Sequence, residues 1–241
     1  MNQYIHADMK RIHSYPLHWF WLIAVYAIIG GIAFYQGSHG TAESYLETAN
    51  MVAGSLCILL GIIIFISVFA ADMRTRTMQA AIGSGVSRRE VIYAKDTEGM
   101  ILILVYYGIA GLILTLAPML FHLQIAIDAI WMTTLKSMLE TMVYFDISMI
   151  LICATLRTNY AEILYILFAF QIVDGLLSLG LGYLALNFSF PDLTGFLFSS
   201  LTASFFKDPA LNILSLAGIV LYLIIPVEIA QSVFKKKELE F

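Results

Sequence analysis

Few side chains among these 241 residues can do chemistry, and most of them sit where a charge is costly. Four carboxylates, Glu140, Asp146, Asp174 and Glu228, fall inside or at the edge of long apolar runs. At a bilayer centre each would cost about 2.5–3.5 kcal/mol, so a retained one implies an ion or proton path, or an interhelical hydrogen bond. Asp146 and Asp174 lie nearest mid-run and could meet across a helix interface to share a proton. Lys136 stands one helical turn before Glu140, a spacing that pairs them. Glu228 lies within reach of the interface near Lys235. Cys57 and Cys153 fall inside apolar runs and read as small buried hydrophobes, without a disulfide framework. His6, His13, His18, His39 and His122 are scattered near run ends with no ligand spacing, so no metal site is expected. No H-E-x-x-H occurs, and no histidine sits mid-run to pair with serine or cysteine, which argues against an intramembrane enzyme.

The other concentration of function-bearing residues is RTRTMQAAIGSGVSRREVIYAK, Arg74 to Lys95, a basic island between two apolar runs. Met78, Ala81 and Ile82 share one helical face. Gly83, Ser84 and Gly85 break that helix, since glycine can take the left-handed conformation that closes it. Ser87 followed by Glu90 is a capping box for a new helix, with Val86 and Val91 placed for a hydrophobic staple. Arg88 and Arg89 then occupy the first two helical positions, where cations oppose the macrodipole by about 0.3–1 kcal/mol each. Anionic headgroups or an acidic partner would favour them there, and the residues alone leave both open.

The elements that must position these groups follow from composition. The chain is 60% hydrophobic and 12% charged, too apolar for a soluble domain of this size. Six runs reach the roughly 20 residues that cross a bilayer as helix: Leu17–Tyr35, Met51–Ala71, Met100–Phe121, Leu135–Leu156, Ala161–Leu186 and Leu211–Phe234. Strand-like alternation is absent, so the expected fold is one all-α, six-helix transmembrane domain over 1–241. The first run lacks a small-residue cleavage site, so it is expected to remain as a span. With alternating loops, one side receives Lys10, Arg11, Arg74, Arg76, Arg88, Arg89, Lys95, Arg157, Lys235, Lys236 and Lys237, and the other only Lys136 and Lys207. This bias predicts cytoplasmic termini and a cytoplasmic island, with the loop Gln36–Asn50 outside.

Ile5, Met9 and Ile12 align on one face ahead of Pro16, predicting an amphipathic interfacial helix with Asp8, Lys10 and Arg11 off that face. The Phe-rich stretch from Leu193 to Phe206 predicts one or two short helices dipping into the outer leaflet, broken near Pro191 and ended near Pro209. Phe196, Phe198, Phe205 and Phe206 would otherwise stand in water. Small residues recur at Ala53, Cys57 and Gly61 on the second run and at Ser178 and Gly182 on the fifth, marking close-packing faces within or between subunits. Tyr4, Tyr15, Trp19, Trp21 and Trp131 suit interfacial belts.

The stretch FAADMRTRTMQAAIGSGVSRREVIYAK resembles the loop after the second span in permeases of type-2 ABC exporters. Asp72, Thr77, Gly85, Val86, Ser87, Arg88 and Lys95 match that pattern in order and spacing. Asp72 stands where Glu is usual, and Arg76 where Gly usually precedes the Thr. The resemblance extends to six spans, cytoplasmic ends, an interfacial N-terminal helix and a re-entrant element before the last span. It implies that the island is a coupling helix, with Thr77, Met78, Ala81, Ile82, Gly85, Ser87, Arg88, Arg89 and Lys95 meeting a separate ATP-hydrolysing subunit. It also implies a second permease subunit, identical or related, in the cell membrane, with the pathway between the two. No G-x-x-x-x-G-K-[ST] occurs in these residues, so ATP and Mg are expected on the partner and none in this chain. The implied activity is outward transport, and the apolar, aromatic and Met-rich lining points to an amphipathic or hydrophobic compound, such as a peptide antibiotic or a lipid-like molecule. The alternative is a secondary transporter driven by protons through Asp146 and Asp174, although no inverted repeat or pair of broken helices marks one.

Overall fold

Pro16 opens the first long helix, where its fixed φ and missing amide suit the first helical position. The computed structural model describes residues 2–75, 77–188, 191–207 and 213–236, with residues 2, 3, 70, 71 and 73–75 described by backbone alone. Among these the helices are α1 Asn2–Ser14, α2 Pro16–His39, α3 Ala42–Thr75, α4 Thr77–Gly83, α5 Arg88–Leu120, α6 Ile127–Thr155, α7 Thr158–Ala169, α8 Ile172–Phe188, α9 Phe198–Lys207 and α10 Ile213–Lys236. A short 3-10 turn spans Thr194–Phe196. No strand occurs among the described residues. Five helices, α2, α3, α5, α6 and α10, are long and apolar enough to cross a membrane, and α7 with α8 supplies a sixth if that bent pair is one span. The chain is an all-α membrane protein.

The fifth apolar run departs from the sequence expectation of a single helix. It breaks between α7 and α8 with a bend of 66°. Gln171 adopts φ 57° and its amide bonds Phe168 O at 2.7 Å, tightening the last turn before Ile172 restarts a helix. The loop Gln36–Asn50 also differs, because α3 begins at Ala42. Thr41 and Ser44 cap each other, with Thr41 N to Ser44 Oγ at 3.0 Å and Ser44 N to Thr41 Oγ1 at 3.3 Å. Tyr45, one residue on, is buried and donates to Leu114 O at 2.6 Å, tying this extension to α5.

The chain packs as two compact units that divide within α6, residues 1–142 and 143–237, where the sequence alone suggests one bundle. In the first, α2, α3 and α5 pack together and α1 lies against α5 and α2. Ala53, Cys57 and Gly61 turn their small face inward here. Lipid is as apolar as leucine, so close van der Waals packing holds such helices together. Trp131, placed by sequence in an interfacial belt, lies across Gly111, where an added Cβ would come within 2.9 Å of its ring.

In the second unit α9 packs on α10. Phe198 is buried, Phe205 and Phe206 are half-buried, and only Phe196 of that expected group is exposed. Pro209, the expected end of this element, lies outside the described residues. Tyr222 donates to Phe196 O at 3.1 Å, and Ser204 and Ser215 hydroxyls meet at 2.7 Å. The small face of α8 is open: nothing lies within 4 Å of a Cβ built at Gly175, Gly180 or Gly182, and Ser178 is exposed.

Candidate functional site

The island folds as its local chemistry requires. α4 is closed by a Schellman motif: Val86 N bonds Ala81 O at 3.1 Å, Gly85 N bonds Ile82 O at 3.0 Å, and Gly85 takes φ 100°. The glycine is needed there because a Cβ is strained at that angle. Ser87 then caps α5. Its hydroxyl accepts from Glu90 N at 3.2 Å while the Glu90 carboxylate accepts from Ser87 N at 3.1 Å. The capping box predicted from sequence is therefore formed, with Val91 buried and Val86 half-buried beside it. Ser87→Ala should cost about 1 kcal/mol, read as a fall in the thermal midpoint in detergent, whereas Ser87→Asp should retain most of the stability.

The outward face is narrower than the expected contact set. Ala80, Gly83, Ser84, Gly85, Ser87, Arg89 and Glu90 are exposed, and Thr77, Ala81, Ile82 and Arg88 are half-buried. Met78 is 3% exposed and packs inward. Lys95 is fully buried and turns away from the exposed face. Arg89 leans on Tyr93, with its carbon 5.3 Å from the ring centroid and Nη2 3.3 Å from the hydroxyl. Arg76 lies outside the described residues, and so does Lys237; Arg74 is described by backbone alone.

Beneath the island, Lys95 belongs to a buried ion cluster that the sequence did not reveal. Its ammonium contacts Asp8, Asp72 and, at 3.0 Å, Glu98. Arg11 contacts the same two aspartates, Asp8 at 2.5 Å and Asp72 at 2.7 Å. Arg11, Asp8, Lys95 and Asp72 thus close a ring of alternating charge, with Glu98 as an additional carboxyl group on Lys95. The Tyr4 ring lies 5.6 Å from the ammonium. Asp8, expected to face away from the packed side of α1, is 4% exposed. Burial alone would push its carboxyl up, but hydrogen bonding with Arg11 and Glu98 and the nearby Lys95 charge outweigh this and hold it at about 2. At the fully buried Asp72, desolvation prevails over the same two cations and raises the carboxyl.

The carboxylates within the apolar helices behave differently from one another. Lys136 and Glu140 pair at 3.8 Å, as their spacing predicts. Asp146 is fully buried. Asp174 is 7% exposed and accepts from Tyr144 at 3.5 Å. Glu228 lines a shallow groove of about 320 Å³ on α10 with Ile224, Ile225, Ile229, Ser232, Val233 and Lys236. His18, expected to stand alone near a span end, instead joins three helices: its ring nitrogens lie 2.6 Å from Ser67 Oγ and 2.6 Å from Tyr106 Oη. Ser67 also donates to Ile63 O at 2.6 Å, so His18 Nδ1 donates to Ser67 and Nε2 accepts from Tyr106. This arrangement satisfies all three polar groups and leaves Ser67 no activated proton.

Compared with known proteins, the chain matches no family model and no curated protein.

Proposed function

We propose that this chain is the membrane-spanning subunit of an ABC exporter, moving an amphipathic or hydrophobic compound outward with ATP hydrolysed by a separate subunit. The observation that carries this reading is the short, capped helix–turn–helix at the junction of α3 and α5. It is too ordered for a connecting loop, presents a small-residue and charged face, and rests on a buried ring of ions. Both termini and this face lie in the cytoplasm on the positive-inside rule, where an ATPase could press on α4. Between α8 and α10, α9 is the re-entrant element of the outer leaflet. The open face of α8 supplies a surface for the second permease subunit, since small residues let helix backbones approach closely.

The test uses inside-out vesicles from the cells that make the protein, with a fluorescent amphipathic dye supplied in the bath. ATP-dependent accumulation should fall at least tenfold when Arg88→Glu and Arg89→Glu are combined, with the amount of inserted chain unchanged. The proton-driven alternative is kept by one observation, the burial of Asp146 and Asp174 in the second unit. Dye flux by the purified chain alone in proteoliposomes, driven by a pH gradient without ATP, would favour that alternative and overturn the exporter reading.

A further inference from the structure

We propose that α1 is a working part of the coupling apparatus, held to the base of the island by the Arg11–Asp8–Lys95–Asp72 ring, so that movement of α4 is passed to α1 through these ion pairs. The inference rests on the function proposed above and assigns Asp8 and Arg11 as positioning residues for it.

Three observations carry it. First, the ring joins three separate elements: Asp8 and Arg11 come from α1, Asp72 from the end of α3 and Lys95 from the beginning of α5. The last two flank α4 on either side in sequence, so any displacement of α4 acts on both. Second, each aspartate bridges the same two cations, one oxygen to each. Such a closed ring resists relative sliding of its elements more than separate pairs would, because no single contact can yield without straining two others. Third, the attachment is not that of a helix lying on lipid. Asp8, the residue that should face water on an amphipathic surface helix, is buried together with Ile12 at 2% exposure. Buried charges need their partners, and separating α1 from the ring would take Arg11 from the fully buried Asp72 and Asp8 from the fully buried Lys95.

The experiment has two arms. In the first, spin labels are placed on the exposed positions Lys10→Cys and Ser84→Cys of the full chain in lipid nanodiscs, Cys57 and Cys153 being buried. The intact ring should give one narrow distance distribution. Asp8→Asn should broaden it at least twofold, and Asp8→Glu, which keeps the carboxylate, should restore most of the narrow population. An unchanged distribution in Asp8→Asn would overturn the proposal. In the second arm, dye transport and ATP hydrolysis are measured in the same native vesicles. Asp8→Asn should lower dye moved per ATP hydrolysed at least fivefold, and Asp8→Glu should recover at least half of the original ratio. A proportional loss of transport and hydrolysis would mean that the ring merely supports the fold, which also overturns the proposal. Absence of any ATP-driven transport with the wild-type chain would remove the exporter reading instead, while the label distances still decide whether the ring fixes α1 to the island.

Discussion

Lys95→Met should destabilise the protein by about 3–5 kcal/mol, the cost of removing one partner from a buried ion pair. Methionine retains much of the volume of the lysine stem, so little of this loss would come from a cavity. The loss is electrostatic: Asp8 and Asp72 would be left with Arg11 alone, and Glu98 would lose its ion pair with Lys95, inside a site that is buried from solvent. Lys95→Arg keeps the charge and should cost clearly less, limited by the larger guanidinium in a full site. Reversible unfolding in mixed micelles, followed by circular dichroism, measures the difference. A loss below about 1 kcal/mol for Lys95→Met would show that the carboxylates are neutralised without the lysine.

The second large effect is expected at Gly218, where α9 rests on α10. A Cβ built there would lie 2.8 Å from Leu201 Cδ1 and 3.3 Å from Cδ2. Both atoms are the free end of a leucine, so Gly218→Ala should be tolerated after a small rotation. Gly218→Leu has no such escape, because Leu201 is 5% exposed and boxed in with buried Phe198 and Thr202 on the same face. Overpacking of this kind costs about 1–3 kcal/mol. The expected result is that α9 lifts from α10, read as faster maleimide labelling of a cysteine at Ser204, while the Ala variant labels at the original rate.

What the sequence discloses here depends on range. The helix–turn–helix of the island is built from neighbours, and each of its signals, Gly85, Ser87 and Glu90, acts within a few positions. Those signals are visible in the amino acids and are found in the structure. The ion ring is built from contacts up to 87 residues apart, Asp8 to Lys95, and nothing local to either residue marks it. Asp8 stands three residues after Ile5 and four before Ile12, so helical spacing puts it on the same face as Ile5, Met9 and Ile12, and only its charge argues for water until its cations are located. The break at Gln171 was hidden by composition, since Phe170 and Ile172 continue the apolar run on both sides. The partners of His18 are not legible locally, because Ser67 and Tyr106 belong to other helices. The periodicity that finds helices has no information on which of them meet.

The lengths of α3 and α5 have a mechanical consequence. They contain 34 and 33 residues, so each is a rod about 50 Å long at roughly 1.5 Å per residue. A hydrocarbon core is only about 30 Å thick, which leaves some 20 Å of each rod to project or tilt. Neither is interrupted between its ends, apart from Pro118 near the finish of α5. A tilt of about 10° would swing the far end of such a rod by roughly 9 Å. A small push at the short crosspiece between them would be delivered, amplified, on the opposite side of the bilayer, with no hinge in between to absorb it.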